Sequence, residues 1–130
     1  MIDVQLAQEL KEAGLVWKPA PGDRFAIPDR DLDQDVFVLS NMTIEVHTLP
    51  EGQVIGFNGT TEWALDDVEL EETIWLPRED QLRALLGAAF VGLERVPGPP
   101  EGYAVTTTAG RHVDVTAEAA YARALLADRR

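Results

Sequence analysis

The chain has 130 residues, 45% of them hydrophobic and 26% charged, enough apolar surface for one ordinary folded core and too short for two independent ones. Eleven basic residues against twenty-three acidic ones leave a formal net charge of −12, which disfavours phosphate-rich partners, whether nucleic acid or an anionic membrane. No cysteine is present, so disulfides, thiolate metal sites and cysteine nucleophiles are excluded.

The opening segment reads as a helix: Asp3 caps it, Leu6 and Leu10 fall one turn apart, and Gly14 supplies a left-handed stop. It has no basic stretch leading into an apolar run, so no signal peptide is expected and the protein is expected in the cytoplasm. Pro19-Ala-Pro21-Gly22 then breaks the chain. From there the pattern changes to period two, and Arg24–Ile27, Asp35–Leu39 and Met42–His47 read as strands. Ser40-Asn41 between the last two suggests a tight hairpin. Leu49-Pro-Glu-Gly52 is a second turn before a strand over Gln53–Phe57, and Asn58-Gly59 carries the residues that tolerate positive φ in a short hairpin. Thr60 to Leu65 is expected to pair back antiparallel, and the acidic stretch Asp66–Glu72 reads as solvated loop or a short helical turn.

After Thr73–Leu76, Pro77 suits a first helical position, Leu82, Leu85 and Leu86 form an apolar stripe, and Gly87 is a natural terminator. Ala88–Val96 reads as a strand, with a helix continuing through Gly87 as the alternative. Pro97–Gly102 is a rigid turn. Tyr103–Thr107 and Arg111–Val115 form a hairpin about Thr108-Ala-Gly110. Thr116 caps a last helix whose Ala120, Tyr121, Ala124 and Leu125 share one face. The expected architecture is a single α+β domain spanning residues 1–130, mainly antiparallel sheet with about three helices packed on one face.

The sharpest chemical suggestion is Asp29-Arg-Asp31-Leu-Asp33-Gln-Asp35. Alternating aspartates gather hard cations, because every second side chain can turn inward round a loop. The calcium-loop pattern fails here: its sixth position is Gln34 instead of glycine, and its twelfth is Ser40 instead of a bidentate glutamate. An acidic hairpin loop accounts for the stretch, and whether it holds a cation stays open. Glu45 and His47 stand two apart in one strand, and Glu62 in a nearby hairpin is placed to join them. One histidine and two carboxylates can hold a metal or move protons. His112 and Asp114 repeat the spacing near the C-terminus and read as a polar pair of a sheet surface. Trp17 and Trp75 read as core, while Trp63, after a hairpin turn and beside acidic residues, suits a basic side chain of a partner. The chain contains no phosphate-cradling loop, no dinucleotide fingerprint and no nucleophile elbow, and Ser40 is its single serine.

The stretches Pro21-Gly-Asp-Arg-Phe25, Phe37-Val-Leu-Ser40, Gly56–Leu65 and Trp75–Leu82 resemble a group of short actinobacterial proteins of unknown function, over most of the chain. Some of that group are labelled pilus assembly proteins; the phosphate-binding loop of pilus-assembly ATPases is missing from this sequence. The resemblance implies membership and carries no site residues.

The functional expectation is therefore a non-catalytic interaction or accessory module, needing no cofactor and binding a protein partner. Glu45, His47, Glu62 and Trp63 are its candidate binding residues, and no catalytic or metal residue is assigned. Unpaired sheet edges leave a homodimer open. The alternatives are a small metal-dependent enzyme built on Glu45, His47 and Glu62, and an acidic inhibitor or antitoxin-like partner of a basic protein.

Overall fold

The computed structural model describes residues 1–28, 32–39, 44–49, 52–57 and 67–129, giving for 32–35, 44–49, 52–57 and 67–70 the backbone course alone. The fold is α+β, with antiparallel strand pairing throughout the described residues. The strands form three three-stranded sheets rather than one continuous sheet. The residues divide into two compact units, one made of 1–16 and 77–130, the other of 17–76.

The unit of residues 17–76 holds β1 (Arg24–Ile27), β2 (Leu32–Val38), β3 (Ile44–Leu49), β4 (Gly52–Phe57), β5 (Asp67–Glu69) and β6 (Ile74–Trp75). They make two sheets, of order β2-β1-β6 and β3-β4-β5. Strand β1 is central, and Phe25, Ala26 and Ile27 are all fully buried. A run of three buried residues needs cover on both faces. Trp17 and Phe37 supply part of it: their rings lie 5.3 and 5.5 Å from that of Phe25.

A buried hydrogen-bond cluster closes the turn that precedes β1. Asp23, 2% exposed, accepts at one carboxylate oxygen from the Trp17 indole N–H at 2.9 Å and from the Ala20 amide at 3.0 Å. Its backbone carbonyl accepts from Leu39 N–H (2.8 Å), and Gly22 N–H donates to the Leu39 carbonyl (2.7 Å). The proline-rich turn is thereby tied to the end of β2.

The other unit holds α1 (Val4–Glu12), α2 (Glu79–Leu86), β7 (Phe90–Val96), β8 (Gly102–Thr107), β9 (Gly110–Asp114) and α3 (Ala117–Asp128). The sheet order is β7-β8-β9. Helix α3 is the hub: α1, α2, β8 and β9 all pack against it. Its Ala120, Tyr121, Ala122, Ala124, Leu125 and Leu126 are buried, so the helix is apolar round most of its circumference, as a helix packed on several sides must be. Burial of each large side chain there contributes about 1.5–3 kcal/mol.

The caps follow the sequence. Asp3 accepts from Gln5 N–H at 2.8 Å and Thr116 from Ala119 N–H at 3.1 Å, while Gly14 takes φ +103° beyond α1. Helix α2 departs by two residues: Arg78 is its N-cap and Pro77 lies outside it. The Arg78 amide donates to the Gln81 side chain at 2.9 Å. Leu82 and Leu86 are buried as expected, but Leu85 is 38% exposed, because three leucines span a wider arc than this short helix buries against α3. Gly87 ends the helix at φ +56°, and β7 follows after one 3₁₀ turn over Gly87–Ala89.

The first half differs from expectation in two places. Among the described residues, strands β2 and β3 belong to different sheets; Ser40 and Asn41, expected to join them in a tight hairpin, lie outside those residues. The acidic stretch is only in part the short helical turn expected: Leu70–Glu72 form a 3₁₀ turn, while Asp67–Glu69 is a strand, β5, paired with β4. The partner expected for β4 in 60–65 lies outside the described residues.

Candidate functional site

Glu45 and His47 lie on β3, opposite Gly56 and Val54 of β4 in regular antiparallel register. Glu62 and Trp63 lie outside the described residues, as do Asp29, Arg30 and Asp31 of the aspartate run. The rest of that run is not a loop, since β2 begins at Leu32 and carries Asp33 and Asp35 in a strand. Trp17 is core at 8% exposure, and Trp75 is half-buried on β6 with its indole N–H shielded from solvent. Among the described residues, no group of three or more His, Asp or Glu stands where it could hold a metal ion.

The β7-β8-β9 sheet carries the more informative surface. Its strands pair in continuous register along β8 and β9, from Tyr103 opposite Asp114 to Thr107 opposite Gly110. Residues opposite one another share a face. One face therefore holds Leu93, Val105 and His112, followed by Arg95, Tyr103 and Asp114. Val105 is fully buried and Phe90 lies 5.8 Å from the Tyr121 ring of α3, so this is the face α3 covers. The other face holds Glu94, Ala104 and Val113 with Thr106 and Arg111, and there Arg111 bonds Glu94 at 3.1 Å.

This reverses the polarity that the alternation Arg-His-Val-Asp-Val suggests. His112 and Asp114 are half-buried on the helix side, whereas Val113 is 49% and Val115 61% exposed. Asp114 is held there by two contacts. One carboxylate oxygen accepts from Arg123 Nε of α3 at 3.2 Å, and the other from the Val115 amide at 2.7 Å. His112 borders a hollow of about 210 Å³ with Thr107, Ala124 and Asp128. Beyond the end of β9 a wider cleft of about 480 Å³ is lined by Asp3, Gln5 and Glu9 of the α1 region and by Asp114, Thr116 and Arg123. Three of those six side chains are acidic, and Arg123 already pairs with one of them.

A second cluster joins α2 to the covered face. Arg83 Nε donates to the Tyr121 hydroxyl at 2.9 Å, and its guanidinium lies 5.0 Å from the centroid of the Phe90 ring. The hydrogen bond to Tyr121 raises the Arg83 pKa above its ordinary value, so the group stays cationic. Its contacts stabilise the α2–α3 packing.

Sequence reasoning named His112 and Asp114 and missed the exposed valines between and beyond them. Part of the signal was present: β9 has no proline and no lysine, although Arg111 and Asp114 put charge on this short strand. No protein-family model, curated protein or solved structure matches the chain. Among the described residues, no helix is long and apolar enough to cross a membrane.

Proposed function

We propose that the chain is a non-catalytic interaction module that binds a protein partner along β9. The carrying observation is an edge strand of unbroken register that exposes Val113, with Val115 exposed just beyond its end. Such an edge offers a row of unpaired N–H and C=O groups together with apolar side chains, the two elements of strand-addition recognition. A charge of −12 agrees with a protein partner better than with nucleic acid. We further propose, from the sequence alone, a cytoplasmic protein related to the short actinobacterial proteins that it resembles.

The test is capture of partners from native-host lysate by the tagged full chain and by its Val113→Lys variant, after circular dichroism has shown that both fold. A specific partner held by the parent and lost by the variant is expected. Equal capture by both chains would remove β9 as the binding surface.

A further inference from the structure

We infer that the occupant of this edge is a second copy of the chain, paired antiparallel across a two-fold axis at Val113. The inference rests on the interaction reading above and adds the partner's identity.

The phase of the β8–β9 hydrogen bonds decides which backbone groups of β9 remain open. A two-residue turn, Thr108-Ala109, joins the paired residues Thr107 and Gly110, so these two exchange backbone hydrogen bonds. Alternation then makes Val105/His112 and Tyr103/Asp114 the next mutually bonded pairs. The N–H and C=O groups of Arg111 and Val113 therefore point away from β8, along the open edge. A two-fold axis perpendicular to the sheet keeps each face on its own side, so every residue meets one of its own parity. Registers near the middle of the strand put the axis at Arg111, His112 or Val113, and the first sets the two arginines against each other.

The axis at His112 sets the two histidines against each other and Gly110 against Asp114. With the axis at Val113, the two Val113 residues exchange both of their free backbone groups. His112 then faces Asp114 of the other copy, twice, in the closely spaced non-bonded positions where cross-strand charges interact best. Arg111 keeps its own partner in this register, since Glu94 of β7 in the same sheet holds its guanidinium. Asp114 already accepts from Arg123 and from an amide, one bond at each oxygen; a carboxylate has about four acceptor sites, so it can take the histidine as well.

The opposite edge is built differently. Strand β7 carries a register break between Phe90 and Gly92, and a bulge of that kind twists an edge away from pairing. Pairing along so short a strand, which ends at Asp114, is small beside the roughly 800 Å² per partner of a standard interface, and each copy brings a charge of −12. The dimer is accordingly weak and strengthens with salt as the long-range repulsion is screened.

The test is sedimentation of the full chain over a range of concentrations at low and moderate salt, with two single-cysteine variants. The chain has no cysteine of its own, so any disulfide formed is the engineered one. The register puts the two residue-113 Cα atoms about 5.5 Å apart, within disulfide reach, and moves the two residue-115 positions about four residues apart along the strands. The expected results are a monomer–dimer equilibrium shifted toward dimer by salt, oxidative cross-linking of Val113→Cys at least tenfold faster than of Val115→Cys, and loss of the dimer in Val113→Lys but not in Val91→Lys. A monomer at every concentration, equal cross-linking of the two variants, or a dimer indifferent to Val113→Lys would overturn the pairing. A monomeric chain that still loses a host partner through Val113→Lys would overturn the self-pairing and leave the interaction reading standing; failure of both experiments would remove both.

Discussion

Asp23 is the residue on which the structure makes its most discriminating stability prediction. It is 2% exposed, and a single carboxylate oxygen receives both the Trp17 indole N–H and the Ala20 amide. Asp23→Ala leaves these two donors without their acceptor, at about 1–3 kcal/mol each. Part of that loss is offset because a buried carboxylate no longer has to be desolvated, so the expected net destabilisation is about 3 kcal/mol. Asp23→Asn differs in kind, since one amide oxygen can stand where the shared carboxylate oxygen stood and accept both bonds. Its expected cost is about 1 kcal/mol. Urea titration followed by tryptophan fluorescence measures both, because Trp17, Trp63 and Trp75 all fall within residues 17–76. Equal losses for the two variants, or an alanine cost below about 1 kcal/mol, would refute the view that hydrogen-bond acceptance holds this turn.

Two further substitutions test the other unit. A Cβ added at Gly102 would sit 2.6 Å from the backbone carbonyl oxygen of Asp114, while at Gly92 it would meet nothing within 4 Å; Gly102→Ala should therefore lower stability by about 2–3 kcal/mol in thermal unfolding, with Gly92→Ala nearly neutral as control. Thr116→Ala removes the cap on Ala119 N–H and should cost about 1 kcal/mol, and Thr116→Asp should recover most of it in the same assay.

The elements written in local chemistry were legible. Asp3, Gly14 and Thr116 announce helix ends through groups that need only their immediate neighbours, and each lies where expected. Period two located β1 and the β8–β9 hairpin for the same reason. The assignment of strands to sheets was not legible, because alternation says which residues share a face and nothing about which strand lies alongside. The break between β2 and β3 and the pairing of acidic β5 with β4 are non-local choices of that kind. The reversal at β9 has the same origin. Valines in an alternating strand point inward by default, yet α3 lies over the opposite face, where Arg123 holds Asp114 and makes a polar residue tolerable. Of the four candidate binding residues, the structure places the backbone of Glu45 and His47 and leaves Glu62 and Trp63 outside the described residues.

Charge and edge pull in opposite directions in this molecule, and their ranges decide the balance. An open edge strand offers pairing to an extended chain that reaches it, which by itself favours aggregation. The net charge of −12 repels another copy at long range, but at physiological ionic strength that repulsion decays over about 8 Å. Contacts made within the strand pairing lie inside this distance, so the local pattern of β9 governs once two edges meet. That pattern sets Arg111 and His112 on one side of Val113 and Asp114 on the other, which is self-complementary only when the strands run antiparallel. A parallel approach, or a slip of two residues, brings like residues together or leaves Asp114 opposite glycine. The bulk acidity thus limits how often edges meet, and the order of five residues selects which meetings last.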